Sequence, residues 1–238
     1  IPPSIILIIY GVTVQESIAK LFIAGILPGI MIAAIFMLYV VFWSLLNEKI
    51  MPKSYENFSF FQKIKKSKQL LPVIILILAV IGSIYTGVAT ATEAASLGVV
   101  GALVLSYFQK SLNFKTFKES LLGATKTSCM IAFILAGSSF LSLAMGFTGL
   151  PRNLAIWIQD MSLSPYILIF VLMIFYIILG MFLDGISAVV LTMAIIEPMI
   201  RQAGFDMIWF GVFLVVVVEM AQITPPVGFN LFVLQGMA

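Results

Sequence analysis

The chain has 238 residues, of which 62% are hydrophobic and 10% are charged, and its formal net charge is +3. This composition, with a mean hydropathy of +1.17, excludes an ordinary soluble domain and indicates an integral membrane protein. Histidine is absent and Cys129 is the single cysteine, which excludes a His/Cys metal cluster, a Ser-His-Asp triad and an intramolecular disulfide.

The apolar stretches follow helical rather than strictly alternating patterns, so a β-barrel is excluded and we predict an all-α polytopic membrane protein. The chain opens on Pro2, Pro3 and Ser4, and a doubled proline beside an apolar run predicts a broken helix. Because the chain begins inside this motif without an initiator methionine, we expect it to be part of a longer polypeptide. The first strong span is predicted from Leu21 to Leu46.

A basic linker is predicted from residue 47 to residue 69. It carries six lysines against two glutamates, and the positive-inside rule places it in the cytoplasm. Its phenylalanines lie beside lysines, as in an amphipathic helix at the surface of an anionic leaflet. An ordinary solvated loop is the alternative.

Two shorter apolar helices are predicted next, from Leu70 to Tyr85 and from Glu93 to Phe108. Thr92 is the predicted cap of the second helix, since threonine is a favoured N-cap residue. Glu93 is interpreted as an acidic residue that stabilises the start of this helix rather than as a transport residue.

A further span is predicted from Ser120 to Phe147, followed by a connection from Gly149 to Ser164. Pro165 to Phe182 is apolar, and after a polar break at residues 183–187 a second apolar arm reaches Ile200. The two arms can be two crossing helices or a re-entrant hairpin. We favour the hairpin, because an Asp-Gly turn is costly in lipid but tolerated where it lines a cavity within the protein.

Four of the ten acidic residues fall inside predicted apolar regions, namely Glu93, Asp184, Glu197 and Glu219. Asp184 is the clearest candidate for an ion-binding residue, because Gly185 and Ser187 follow it closely and no basic residue lies near it in sequence. A hard cation with oxygen ligands would neutralise it, and Na⁺ is the natural candidate. In the alternative, a protonated or hydrogen-bonded Asp184 caps the second hairpin helix through Ser187.

A second candidate site follows the predicted helix from Met207 to Gln222. Pro225 and Pro226 leave nearby carbonyls without internal donors, and Thr224 adds a hydroxyl, so this corner could coordinate a cation. The N-terminus of the helix predicted to start near Val227 would favour a substrate carboxylate. An ordinary proline kink is the alternative.

With these motifs together, the chain resembles the large, DctM-like membrane subunit of the tripartite ATP-independent periplasmic (TRAP) transporters. The resemblance covers essentially the whole chain, and its most specific stretches are residues 1–11, 17–29, 91–95, 180–184 and 223–233. It implies an inverted-repeat, elevator-type transporter in which hairpin tips and broken helices form the sodium and substrate sites.

The resemblance implies two sets of site residues. The sodium ligands would come from Asp184, Gly185, Ser187, Thr224, Pro225, Pro226, Pro3 and Ser4. The substrate would lie against Ser4, Thr224, Val227, Gly228 and Asn230. No organic cofactor and no nucleic-acid partner are expected.

The resemblance also implies a domain organisation and partners. Residues 1–46 would contain the end of the first repeat and the next span, 47–69 the linker, and 70–238 the second repeat, with its hairpin at 165–200 and its broken helix at 207–238. The partners would be the lipid bilayer, a small DctQ-like membrane subunit and a periplasmic binding protein that delivers an organic acid.

We therefore predict a multi-pass subunit, in the bacterial inner membrane, of a sodium-coupled importer of a dicarboxylate or a sialic-acid-like carboxylate, and no enzyme. Another inverted-repeat ion-coupled transporter, or a channel, would share the broken helices but not the whole motif set. An intramembrane aspartyl protease would need a second membrane-embedded aspartate facing Asp184. Asp160 and Asp206 both fall in predicted polar turns, which argues against that chemistry.

Overall fold

The computed structural model describes residues 3–47, 67–160, 164–226, 228 and 230–231. These residues form nine α-helices and no β-strand. The helices are α1 (Ile5–Thr13), α2 (Ile18–Leu46), α3 (Leu71–Tyr85), α4 (Ala91–Phe108), α5 (Phe114–Thr148), α6 (Leu150–Asp160), α7 (Pro165–Gly180), α8 (Gly185–Gln202) and α9 (Met207–Gln222). The predicted all-α class is confirmed.

Four of these helices, α2, α4, α5 and α8, are long and apolar enough to cross a membrane, and α3, α7 and α9 are shorter apolar helices. Many of their large apolar side chains are exposed, for example Leu38 and Phe133. Apolar side chains on the outside of such helices are suited to contact with lipid. The chain is a polytopic α-helical membrane protein.

The described residues divide into two compact units, one formed by Ile26–Leu121 and the other by the residues before and after that range. In the first unit α3 and α4 pack against each other. Thr90, not Thr92, is the N-cap of α4: its hydroxyl accepts a bond from the Glu93 amide while its own amide donates to Glu93 Oε2. Thr92 already lies in the first turn, so the predicted cap was wrong, whereas the helix-start role of Glu93 is confirmed.

In the second unit α9 packs against α7, α8 and α1. Tyr10 of α1 and Phe210 of α9 are fully buried at the centre of this group. The Tyr10 hydroxyl donates a 2.7 Å hydrogen bond to the carbonyl of Met207, which fixes α1 to the first turn of α9. The bond satisfies a polar atom that would otherwise be buried without a partner.

α7 and α8 form a hairpin around Asp184. The hydroxyls of Tyr176 and Thr192 lie 2.6 Å apart, and each residue is eight positions from Asp184 in sequence, so the two arms run back alongside each other. With 16 residues, α7 is about 24 Å long at 1.5 Å per residue, shorter than the roughly 30 Å of a hydrocarbon core. The two arms are antiparallel, as either alternative requires, and the re-entrant hairpin stays a prediction.

The connection expected between Gly149 and Ser164 contains helix α6, which packs against α8. Leu150, Leu154 and Trp157 recur at the spacing of one helical face, which is the pattern of a short amphipathic helix. The length and low charge of this connection did not predict the helix.

The C-terminal end of α8 contacts the segment between α1 and α2 through Arg201. Arg201 pairs with Glu197 at 2.9 Å, lies 4.0 Å from Glu16 and donates a 3.4 Å hydrogen bond to the carbonyl of Val14. Residues 201–206 were predicted to be a polar turn; the helix extends to Gln202, and Asp206 caps α9.

Some predictions concern residues outside the described part of the chain. They are Pro2, nearly all of the 47–69 linker, Val227, and the helix restart expected beyond it. The proposed repeat boundaries also stay a prediction.

Candidate functional site

The Asp184 carboxylate is held at the hairpin tip by the first turn of α8. Its Oδ2 accepts hydrogen bonds of 3.1 Å from the amides of Ile186 and Ser187, and its Oδ1 accepts a 2.6 Å bond from the Ser187 hydroxyl. Aspartate is a favoured N-cap because its short side chain reaches these unpaired amides. The capping role is confirmed, and the half-buried carboxylate keeps lone pairs that these three bonds do not use.

Two glycines on either side of the tip let α9 approach closely. A Cβ on Gly180 would lie 2.6 Å from the Cβ of Ala221. A Cβ on Gly185 would lie 2.6 Å from Gln222 Nε2, 2.7 Å from Ile6 Cδ1 and 2.9 Å from Val218 Cγ1. The start of α1, the start of α8 and the end of α9 therefore meet at Gly185.

α9 stops where the sequence predicts a break. It ends at Gln222, and the bond between Pro225 and Pro226 is cis. The Thr224 hydroxyl donates 2.8 Å to the carbonyl of Met220, one turn back in the helix, and both prolines are exposed. The Thr224 oxygen still has acceptor capacity, since a hydroxyl carries two lone pairs.

Beyond the break, the described residues are Gly228, Asn230 and Leu231. Gly228 is buried, adopts a φ of +60°, which suits glycine, and accepts a 2.8 Å bond from the Leu231 amide. Asn230 Nδ2 donates 3.2 Å to Glu219 Oε2. The amide predicted to face substrate is thus tied to a carboxylate on α9, on the other side of the break.

The first proline motif leads into α1. Ser4 is the N-cap of this helix, and its hydroxyl accepts a 3.5 Å hydrogen bond from the Leu7 amide. Pro3 is exposed, whereas Ile6, two residues after Ser4, is buried against Gly185. The predicted residues of the first motif are therefore brought towards the hairpin tip through Ile6.

The ionisable groups around Asp184 are few in the part of the chain that the structure describes. Within the described ranges no three His, Cys, Asp or Glu side chains cluster as metal ligands. No lysine or arginine in the described part of the chain pairs with Asp184.

The family model of the tripartite ATP-independent periplasmic transporter, DctM component, matches residues 1–238. The chain belongs to this family. The family match covers the hairpin tip, the break after α9 and the first proline motif alike.

Curated relatives agree with this assignment. A C4-dicarboxylate TRAP transporter large permease protein of Pseudomonas aeruginosa is 31% identical over 98% of this chain and 54% of its own length. A 2,3-diketo-L-gulonate TRAP transporter large permease protein of Escherichia coli is 34% identical over 100% of the chain and 56% of its own length. An isethionate TRAP transporter permease protein of Oleidesulfovibrio alaskensis is 29% identical over 100% of the chain and 37% of its own length.

The chain spans about half the length of the first two relatives and a smaller share of the third. All three are named as transporter permeases rather than as enzymes, as the sequence predicts. The remote alternative of an aspartyl protease also lacks geometric support, because the Asp206 carboxylate caps α9 through the amides of Ile208 and Trp209.

Sequence reasoning missed Gln222, the buried polar residue beside the tip. A glutamine that ends an apolar helix three residues before a proline pair was an available signal. The sequence also gave no indication that the buried Ser138 hydroxyl donates a 2.6 Å hydrogen bond to the carbonyl of Val190 in α8.

Proposed function

We propose that this protein is a membrane subunit of a sodium-coupled secondary transporter that imports an organic acid across the bacterial inner membrane. The observation that carries the proposal is the half-buried carboxylate of Asp184 at the tip of an apolar hairpin. A charged group in such surroundings is unfavourable unless a partner of opposite charge binds it. Membership of a transporter family makes a transported cation the natural partner.

Sodium fits the groups that surround the tip. It is a hard cation that prefers oxygen ligands, and the hairpin offers the Asp184 carboxylate, the Gly185 carbonyl and the Ser187 hydroxyl. The break after α9 would add oxygens of Thr224, Pro225 and Pro226, and the first motif those of Pro3 and Ser4.

The substrate would be an organic anion held against helix ends. Helix N-termini carry partial positive charge, which favours the carboxylate of a substrate beside Ser4 and around Thr224, Val227, Gly228 and Asn230. The relatives are named for a C4-dicarboxylate, 2,3-diketo-L-gulonate and isethionate, all of them small organic anions.

The transporter would act with two partners, a small membrane subunit and a periplasmic binding protein that delivers the substrate. Coupling requires that sodium binds more tightly when substrate is present, because only a difference in affinity links the two fluxes. A hairpin tip that contacts both α1 and α9 is well placed to carry such a difference, since each of these helices adjoins one of the proline motifs.

The test is substrate uptake into proteoliposomes that contain the full-length protein with its two partner subunits, with a sodium gradient imposed or removed. Asp184→Asn should abolish most sodium-driven uptake. Asparagine caps helices about as well as aspartate, so the substitution removes the charge and keeps the cap.

Asp206→Asn is the matched control. Asp206 caps α9 through two amides in the same way, at 2.8 and 2.9 Å, but lies at the other end of that helix. It should keep wild-type uptake. If Asp184→Asn retained wild-type uptake with the same sodium dependence, the assignment of the ion to Asp184 would be overturned.

A further inference from the structure

A basic and aromatic surface lies where α4 connects to α5. Residues 107–118 of this connection form what we call the basic corner. Lys110, Lys115 and Lys118 are exposed in it, and within the described residues none of the three pairs with a carboxylate. The corner contains no acidic residue, and the aromatic side chains beside the lysines are also exposed, namely Tyr107, Phe108, Phe114 and Phe117. It therefore presents three positive charges among exposed aromatic rings.

Hydrogen bonds within the corner give it a defined shape. The amides of Ser111 and Leu112 both donate to the carbonyl of Ser106, at 3.0 and 3.2 Å. Asn113 and Thr116 cap the start of α5 reciprocally, since each side chain accepts a bond from the amide of the other residue, at 2.8 and 3.0 Å. The lysines are therefore carried by an ordered turn.

The corner adjoins segments that suit the interior of a membrane. Glu93 is the only charged residue of α4, and α5 carries no charge from residue 127 to its end at Thr148. Residues 127–148 are about 33 Å of helix at 1.5 Å per residue, which is enough to cross a hydrocarbon core of roughly 30 Å. The charged residues between these apolar segments therefore lie at a membrane surface.

Lys68 lies at the same end of the α3–α4 pair as the corner. Gly98 of α4 faces Val80 of α3. Gly101, one turn later in α4, faces Leu76, one turn earlier in α3, so the two helices are antiparallel. Lys68 precedes α3, and the corner begins at the end of α4. Because Lys68 belongs to the linker that the positive-inside rule assigns to the cytoplasm, the basic corner shares that side.

An anionic leaflet satisfies the lysines and the aromatic rings at once. Lysines near such a leaflet attract its phosphate groups, and phenylalanines insert at the boundary between headgroups and acyl chains. A soluble anion would neutralise the lysines but leave rings such as that of Phe114, which is 83% exposed, in water. A zwitterionic lipid would cover the rings without a counter-charge for the lysines. The combination selects an anionic lipid.

We propose that the basic corner binds anionic phospholipid of the cytoplasmic leaflet, with phosphate groups at the three lysines and the rings of Phe114 and Phe117 among the acyl chains. This inference is independent of the proposed sodium site. Such binding would hold the connection between α4 and α5 at the membrane surface.

The experiment identifies the lipid at the corner by photocrosslinking. The purified full-length protein, with p-benzoylphenylalanine in place of Phe114, is reconstituted in vesicles of equal parts phosphatidylglycerol and phosphatidylcholine, and mass spectrometry measures the ratio of the two crosslinked lipids. One lysine near an anionic surface strengthens binding by about fivefold, so we expect phosphatidylglycerol to be favoured by about tenfold or more. The same probe in place of Tyr166, an exposed aromatic residue of the uncharged helix α7, should show no preference.

Charge variants separate this role from a packing effect. Lys110→Gln, Lys115→Gln and Lys118→Gln in combination should abolish the preference at the first probe position, whereas arginine at the same three positions should retain it. Glu119→Gln, which removes the adjacent negative charge, should increase the preference. An unchanged ratio in the glutamine variant, equal ratios at the two probe positions, or crosslinks from the corner to protein alone would each overturn the proposal.

Discussion

Tyr176 and Thr192 share the hydrogen bond that joins the two arms of the hairpin about two turns from its tip, with their oxygens 2.6 Å apart. Thr192 donates its own proton to the carbonyl of Ala188 at 2.7 Å, so Tyr176 is the donor between the arms. Tyr176 is fully buried, and its hydroxyl has this one bond among the described residues. The arms are therefore held together by polar as well as apolar contacts.

Removal of this bond should loosen the hairpin. Tyr176→Phe keeps the ring and leaves the Thr192 hydroxyl bonded within its own helix, so we expect stability to fall by about 1 kcal/mol. Thermal unfolding of the purified protein measures the effect. Tyr166→Phe, at an exposed position of α7, is the control and should leave the melting temperature unchanged. An equal effect of both substitutions would contradict the role of the bond.

Gly185→Ala should disturb the meeting point of α1, α8 and α9. The added methyl group would lie less than 3 Å from atoms of three side chains, and such overpacking costs about 1–3 kcal/mol. We expect a lower melting temperature and weaker sodium-dependent stabilisation. The control is Gly137→Ala in α5, where no heavy atom lies within 4 Å of the added methyl. If the two variants behaved alike, the close approach at the tip would have no energetic importance.

Ser138→Ala should weaken the attachment of α5 to the hairpin. The substitution removes the donor to Val190, a bond with a net worth of about 1 kcal/mol. Ser139 is a neighbouring control, because its hydroxyl is exposed and bonds only the carbonyl of Leu135 in its own helix. Thermal unfolding of the two alanine variants should show a clear loss for Ser138 and almost none for Ser139. The reverse order would contradict the contact.

The Arg201 pair with Glu197 should contribute little to stability. The Arg201 side chain is 47% exposed, and exposed ion pairs contribute about 0.2–1 kcal/mol. A double-mutant cycle with Arg201→Gln and Glu197→Gln should therefore give a small coupling energy that falls further at high salt, where charges are screened. A coupling energy that is large and insensitive to salt would mean that the membrane buries this pair.

Local sequence signals were sufficient for most of the helices. The predicted bounds of α9 match because Asp206 supplies a strong cap at one end and the residues before the proline pair stop the helix at the other. The hairpin turn could be placed because Asp184 and Gly185 interrupt a long apolar stretch. Helix α6 was missed because its signal is a single apolar face over 11 residues.

The partners of the site residues could not be predicted in this way. Gln222 meets Gly185, and Ser138 meets Val190, only because α8 packs in a particular rotation against its neighbours. Nothing in the sequence near either residue specifies that rotation. The cap of α4 shows the same limit on a smaller scale, since Thr90 and Thr92 are chemically equivalent candidates and only the backbone decides between them.

All three hydrogen bonds of the Asp184 carboxylate come from residues within three positions of it in sequence. The shape of the tip is therefore encoded locally and does not depend on the rest of the molecule being in one arrangement. A binding group that keeps its geometry while its surroundings change is preorganised, so a ligand pays little of the ordering entropy that a flexible loop would demand. If the hairpin moved as a unit, its tip would keep the same carboxylate geometry throughout the movement.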